Sequence, residues 1–352
     1  MVVRNQDYWK ERLLKIESLQ FDKKVKFDKE LRDGYINAIN QIEKDLDRWY
    51  KRFAVSEGVT LDEARKRLNS KELRDFHIDV KQYIKLAKKN GNDPRIMRIL
   101  ESASSRVHIS RLESLFVQLE YHISNLYLEQ SEGIETLLED VYLEQYNRVA
   151  YTVQTGTNTA FALAAIPEDS LKVIILKPWS PDGINFSERI YRDREELVNV
   201  LQTELTRAFS LGEGVDKTAR RIRDRLDITF RQAVRLVQTE ETAIASRANQ
   251  NAFKELSVDK YQYIATLDSR TSDICQTFDL RVFEISQYEV GTTAPPLHVN
   301  CRSTTAPYLE GIDYAERIAR DKDGKNVYVP GNLSYKKWLE EYGVKKINSE
   351  VK

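Results

Sequence analysis

Leu31-Arg-Asp-Gly-Tyr35-Ile-Asn-Ala38-Ile-Asn-Gln-Ile42-Glu-Lys-Asp-Leu46-Asp-Arg-Trp49 is the stretch that sets the fold class. Leu31, Tyr35, Ala38, Ile42, Leu46 and Trp49 recur at steps of three and four, drawing one apolar stripe along a long α-helix. The opposite face carries Lys29, Arg32, Glu43, Lys44 and Asp47. The first proline is Pro94, so nothing interrupts this pattern upstream. Outward from the stripe, Thr60-Leu-Asp-Glu63 is a capping box opening a short helix over 61–68. A further helix over 72–89 stops at Asn90-Gly91-Asn92, and Asp93 caps the next with Pro94 at its first position. Ile96, Leu100, Val107, Leu112, Leu115, Leu119, His122 and Leu126 predict helix over 95–130. Gly133 punctuates it, and helix resumes to 154. Residues 1–155 therefore read as a helical arm or bundle, without the sustained heptads of a long coiled coil.

The texture changes over 156–184, read as a linker. Thr155-Gly-Thr-Asn-Thr159 is a turn cluster. Lys172-Val-Ile-Ile-Leu-Lys177 predicts a short strand ended by Pro178. Helices return over 187–211 and 216–226, with Gly212 and Gly214 ending one and Asp216 capping the next. Thr229 is expected to cap a third helix, to 256. Strands are predicted over 261–267 and 281–285. Four of the eight prolines lie between 295 and 330. A hairpin or loop is expected around Asn326-Val-Tyr-Val-Pro330, then a helix over 335–342 capped by Ser334. The fold class is α+β overall, predominantly α. A long-helix N-terminal half precedes a compact α+β domain with a small sheet over 185–342, and 343–352 form a tail.

Composition narrows the function. Lys+Arg and Asp+Glu each number 55, so the formal net charge is zero. That argues against a wholly basic nucleic-acid coat protein. The balance is segmental: 22 basic against 16 acidic residues over 1–90, then 5 against 10 over 91–160. The longest apolar run, 160–166, is far shorter than the roughly 20 residues of a membrane span, so no membrane partner is expected. The N-terminus shows no apolar signal core. Two cysteines, Cys275 and Cys301, cannot build a disulfide framework and suit a reducing compartment or a small local site.

Those cysteines and His298, the last of only four histidines, fall within 27 positions and bracket Pro295-Pro296. Two thiolates and a neutral imidazole suit Zn²⁺, which takes four tetrahedral ligands. Asp268, Asp273, Asp279 or water would supply the fourth. The competing reading is a pair of buried thiols with a hydrogen-bonded histidine, holding an irregular fold together. A second feature is arginine-rich: Arg220, Arg221, Arg223 and Arg225, with Arg231 and Arg235, flank an apolar side of Ile222, Leu226, Phe230, Val234 and Val237. Such arginines can meet phosphates or an acidic partner surface. The small and polar residues after Thr239-Glu240-Glu241 read as a close-packing helix face.

Ala265-Thr-Leu-Asp268-Ser-Arg270-Thr271-Ser-Asp-Ile-Cys275 and Pro295-Pro296-Leu-His298-Val-Asn300-Cys301-Arg302-Ser303 resemble the head-morphogenesis or minor head protein family of tailed bacteriophages, the Mu F-like family. The family pattern is a strand, Asp-x-Arg-Thr, a cysteine, then Pro-Pro-x-His-x-x-Cys-Arg. Its motif residues here are Asp268, Arg270, Thr271, Pro296, Asn300 and Arg302. The Gln238-Thr-Glu240 helix and Tyr335-x-x-Trp338 are also similar to the family. Many members carry cysteine where this chain has Ser272 and Ser303.

The resemblance implies a non-enzymatic virion component, placed in the phage head interior and assembled in the host cytoplasm. Its expected partners are the portal protein, the major capsid or scaffolding protein and packaged DNA. Its role would be in head assembly, DNA packaging or DNA ejection. No cofactor is implied beyond structural zinc at Cys275, His298 and Cys301. Two alternatives stand beside it: a metal-dependent nuclease or protease using those three residues, and a nonspecific DNA-binding virion protein. Some family members carry a fused toxin, but about fifty residues follow Ser303, fewer than such a domain usually needs. Arg302-Ser-Thr-Thr305 is similar to the Ser-Thr-Ser strand of ADP-ribosyltransferases. Those enzymes also need a Glu-x-Glu or Gln-x-Glu pair downstream, and none follows Thr305.

Overall fold

The computed structural model describes residues 6–54, 58–89, 94–157, 166–308, 316–320, 326–330, 333, 334 and 337. Helix α1 spans Gln6–Phe53. Its buried face is the predicted apolar stripe: Leu31, Tyr35, Ala38, Ile42, Leu46 and Trp49 are all buried. Full burial of a side chain such as Ile42 or Leu46 contributes roughly 1.5–3 kcal/mol. Helix α2, Leu61–Arg65, starts where Thr60 Oγ1 accepts the Glu63 N–H at 3.3 Å. Helix α3, Ser70–Lys89, is capped by Asn69, whose Oδ1 accepts from the Lys71 and Glu72 N–H groups. The Glu72 carboxylate accepts the Asn69 N–H in return. Helix α4, Pro94–Ser105, begins on its proline. The expected stop at Asn90-Gly91-Asn92 and the Asp93 cap lie outside the described residues.

Three sequence expectations change here. The single helix over 95–130 breaks after Ser105, and Val107 is 67% exposed. The cause is a capping box at Ser110-x-x-Glu113. Ser110 Oγ accepts the Glu113 N–H, and the Glu113 carboxylate accepts the Ser110 N–H. Helix α5 therefore restarts at Arg111 and continues to Thr157, straight through Gly133 and into the expected turn cluster. Asn158 and Thr159 of that cluster are outside the described residues. A Cβ on Gly133 would sit 3.1 Å from the Phe27 ring, so this glycine permits close helix approach rather than a break. The strand expected at 172–177 is helix α6, Glu168–Leu176. Leu171 and Ile175, four apart, are buried while Val173 between them is 70% exposed. An alternating strand would put all three on one face.

Helix α7, Phe186–Ser210, closes in a Schellman turn. Gly212 takes φ +64°, Glu213 N donates to Ala208 O, and Gly212 N donates to Phe209 O. Helix α8 is one continuous element, Val215–Glu255. Thr229 does not cap a new helix: its Oγ1 donates to Arg225 O at 3.0 Å, four residues back. Asp216 lies inside the first turn of α8 rather than capping it. Gly58 pairs with Gly214 in an isolated bridge, and a Cβ at Gly58 would fall 2.4 Å from Gly212 O. Gly58→Ala is therefore expected to destabilise the chain by about 1–3 kcal/mol through forced backbone displacement. A lower urea midpoint at unchanged slope is the readout, and an unshifted midpoint would refute the contact.

The strand β1, Lys260–Ile264, is central in an antiparallel sheet of order β2-β1-β3, with β2 at Val282–Glu284 and β3 at Thr304–Tyr308. Helix α9, Asp273–Phe278, lies between β1 and β2 in sequence. A two-stranded antiparallel sheet joins β4, Glu316–Arg320, to β5, Asn326–Pro330, where a hairpin or loop was expected. Strand β3 was not anticipated because it contains Pro307, which its edge position tolerates. The helix expected over 335–342 is outside the described residues except for Lys337, which is helical.

The fold is α+β and predominantly α, with nine α-helices and five strands among the described residues. Two compact units divide it: Met1–Val25, Glu135–Phe186 and Arg235–Lys352 in one, and Lys26–Ile134 and Ser187–Val234 in the other. The core of the second unit includes Phe76, Val80, Leu100 and Tyr121. The first holds a small cluster of Tyr263, Ala265, Cys275 and Cys301. No described helix is long and apolar enough to cross a membrane.

Candidate functional site

The burial of β1 alternates: Tyr261 and Tyr263 are fully buried, while Lys260, Gln262 and Ile264 are half-buried. That alternation aims Tyr263 at the thiols. Its hydroxyl lies 3.2 Å from Cys275 Sγ and 4.0 Å from Cys301 Sγ. Cys275 sits in the first turn of α9, which Ser272 caps through its Oγ. Cys301 follows the turn that starts with the cis Pro295–Pro296 peptide. Cys301 N donates to His298 O at 3.2 Å, and Asn300 takes the left-handed conformation, φ +66°, that asparagine tolerates.

Helix α8 fixes this turn from behind. Thr239 Oγ1 accepts the Asn300 N–H at 2.9 Å, and Thr242 Oγ1 donates to Cys301 O at 2.8 Å. Cys275, His298 and Cys301, singled out from composition, converge. Their donor atoms all lie within 4.8 Å of one another, with Sγ–Sγ 3.7 Å and Cys275 Sγ to His298 Nε2 3.2 Å. Both cysteines are free and buried, and His298 is half-buried. The hydrogen bond from Cys301 holds Cys275 below the usual thiol range against the opposing push of burial. The same contact, with burial, pushes Cys301 up. Burial likewise raises Tyr263. The cluster combines one thiol poised for deprotonation, a second that donates to it, and an imidazole on the rim. Such a set can ligate a soft metal or cross-link irregular segments.

The other motif residues build a clamp beside it. Arg302 grips Asp268 with both terminal guanidinium nitrogens, Nη2 to Oδ1 at 2.8 Å and Nη1 to Oδ2. Asp268 Oδ1 also accepts the Arg270 N–H at 2.9 Å and the Thr271 hydroxyl at 3.3 Å. Burial raises the Asp268 carboxyl, and the Arg302 guanidinium and Arg270 N–H more than reverse this, leaving it below its ordinary value. The Arg270 side chain is exposed, with its guanidinium 4.0 Å from Asp268 Oδ2, so its charge adds a solvent-screened contribution to that of its backbone N–H. Pro296 is buried in the turn.

Of the six arginines singled out on α8, three are spent inside the chain. Arg221 pairs with Glu213 and Glu204, Arg223 with Glu43, and Arg225 with Glu204. Arg220, Arg231 and Arg235 are exposed and make no ion pair with another described residue. Tyr263 and Thr242 support the site without a signal of their own in the sequence, whereas Thr239 and Ser272 enter it only through the family resemblance. Thr239 and Thr242 begin a run with Ser246 and Asn249 at steps of three and four, all buried, which is the signal that could have found them.

Residues 199–306, which include both motifs, match the family described as Phage Mu protein F like protein. The chain is 25% identical over 316 residues to NAD(+)–arginine ADP-ribosyltransferase EFV of Enterococcus faecalis, covering 84% of this chain and 61% of that relative. It thus spans about three-fifths of that relative's length. It is 24% identical over 255 residues to minor head protein GP7 of Bacillus phage SPP1, covering 67% of this chain and 80% of GP7. No solved structure matches it. The clamp and the Cys/His turn both fall inside residues 199–306, the segment that is similar to the Mu F-like family, and the likeness to minor head protein GP7 supports that resemblance.

Proposed function

We propose that this chain is a minor head protein that sits inside a phage head, associates with portal and procapsid, and acts by binding in head assembly, DNA packaging or DNA ejection. The observation that carries this reading is the match of 199–306 to the family, together with an alignment to GP7 over 80% of that protein. The geometry supports it. The motif side chains bind one another: Asp268 is held by Arg302, and Asn300 and Cys301 are tied to α8. Arg220, Arg231 and Arg235 remain for acidic partner surfaces or DNA phosphates. Contacts of that kind weaken as salt rises.

The test is coexpression with the portal and capsid proteins of the same phage, followed by sedimentation. The chain is expected to travel with procapsids at low salt. A triple Arg220→Glu, Arg231→Glu, Arg235→Glu variant is expected to lose at least about tenfold of that association, on the scale of about 1.4 kcal/mol per decade. A folded chain that never cosediments would overturn the reading.

An NAD-dependent transferase is the second reading, favoured by the Enterococcus relative's name. Against it, Ser303 and Thr305 are buried, and Thr305 Oγ1 is bonded to Asn249 and Tyr288. Nicotinamide release from NAD⁺ in the presence of an arginine ester would favour this second reading over a purely structural role.

A further inference from the structure

We propose that Cys275 Sγ, Cys301 Sγ and His298 Nε2 hold one zinc ion whose fourth tetrahedral position is taken by water and open to exchange. Two of the three donor–donor distances are close to a tetrahedron's edges, and the third, Cys301 Sγ to His298, lies within 4.8 Å. Zn–S bonds of about 2.3 Å place two sulfurs about 3.8 Å apart, and Zn–S with Zn–N places sulfur and nitrogen about 3.5 Å apart. The structure has 3.7 Å and 3.2 Å.

The histidine is oriented as a ligand. His298 Nδ1 lies 2.8 Å from Val299 O. A backbone carbonyl can only accept, so Nδ1 carries the proton and the neutral ring turns its Nε2 lone pair toward the sulfurs. Two thiolates balance the charge of the ion, which suits a pair of donors that are 2% and 0% exposed.

The fourth ligand does not come from a described carboxylate, because none joins the three donor atoms. Asp268 is occupied by Arg302, and Asp279 Oδ1 accepts the Ala265 N–H at 2.9 Å. The rim is open on the histidine side, where Val299 is 59% exposed and His298 half-buried. The remaining vertex is therefore assigned to water rather than to the Tyr263 hydroxyl, which lies 3.2 Å from Cys275 Sγ and 4.0 Å from Cys301 Sγ as a hydrogen-bond partner of the thiols. This makes a three-ligand site with an exchangeable position, in contrast to a closed structural knuckle.

The full chain, purified without chelator, is expected to contain one zinc ion by elemental analysis. Exchange for cobalt(II) is expected to give sulfur-to-cobalt charge-transfer absorption and the strong visible bands of a tetrahedral ion. His298→Ala, a rim substitution that keeps the fold by circular dichroism, is expected to lose at least about tenfold in zinc affinity, the effect that even an outer-shell change can have. His298→Cys is expected to restore binding with stronger charge transfer. Added mercaptoethanol is expected to shift the visible bands of the cobalt protein by displacing water. Metal-free protein that yields no charge-transfer band with cobalt would overturn the site. Undiminished zinc affinity in His298→Ala would overturn the assigned ligand set. A cobalt spectrum unmoved by mercaptoethanol would overturn the open position.

Discussion

Replacing Arg302 with methionine is expected to lower the unfolding free energy by about 2–4 kcal/mol at pH 7. Removing one partner of a buried ion pair typically costs about 3–5 kcal/mol, because the remaining charge stays buried without compensation. The Arg302 side chain is 26% exposed, so water relieves part of that penalty here. Asp268 is the group left behind, 5% exposed, with only the Arg270 N–H and the Thr271 hydroxyl still donating to it.

The pH dependence gives this prediction a sign. Asp268 is depressed in the folded chain, so its contribution is fully present above the unfolded value of about 3.9 and is lost as pH falls through the folded value. In Arg302→Met the main opposing group is gone, and burial, resisted only by the Arg270 N–H and its exposed charge, raises the carboxyl. The deficit of the variant should therefore narrow as pH drops below about 4. Asp268→Asn in the same background is expected to recover part of the loss, because the amide keeps the acceptor for Arg270 without a buried charge. Urea titrations of the four proteins of this cycle at pH 7 and near pH 4 measure both effects. A deficit below about 0.5 kcal/mol, within the range of ordinary surface substitutions, would show that the clamp is not structural.

What was legible in the sequence follows from how local each signal is. The α1 stripe was readable because every buried position lies within one turn of the next. The Cys/His convergence was readable for a different reason: the chain has only two cysteines, and both fall beside its last histidine. The 172–177 segment misleads because Val-Ile-Ile is β-branched and short, so its strand propensity masks its helical period. Its burial follows the helical four-residue step. The break after Ser105 failed because a stripe can be drawn through Val107, whereas the local Ser110–Glu113 capping box decides the backbone. Thr229 shows the reverse error. A threonine can cap a helix or bond back to its own fourth preceding carbonyl, and only the surrounding backbone selects between the two. The arginines on α8 were visible as a basic run. Which of them are spent on Glu43, Glu204 and Glu213 depends on contacts far away in sequence.

The least visible feature is the polar seam of α8, and it carries the other large expected effect. Asn249 is fully buried. Its Oδ1 accepts from Gln145 Nε2 at 2.7 Å on α5, and its Nδ2 donates to Thr305 Oγ1 at 3.0 Å on β3. Thr305 Oγ1 also lies 2.8 Å from the Tyr288 hydroxyl. One amide thus joins two helices, the edge strand that follows Cys301 and the loop that holds Tyr288. Asn249→Leu keeps the volume nearly constant but deprives Gln145 of its acceptor and Thr305 of its donor. Thr305 Oγ1 keeps the Tyr288 hydroxyl, so the loss comes from two broken buried hydrogen bonds, at about 0.5–1.5 kcal/mol each plus partial desolvation, and about 2–3 kcal/mol is expected. Thr305→Val should cost less, since Tyr288 and one amide hydrogen lose a partner while Gln145 keeps its own. The double variant should lose less than the sum, because both substitutions break the same bond. Additive losses in urea unfolding would mean that Asn249 and Thr305 act independently. In that case β3 would be held by the sheet alone, without help from α8.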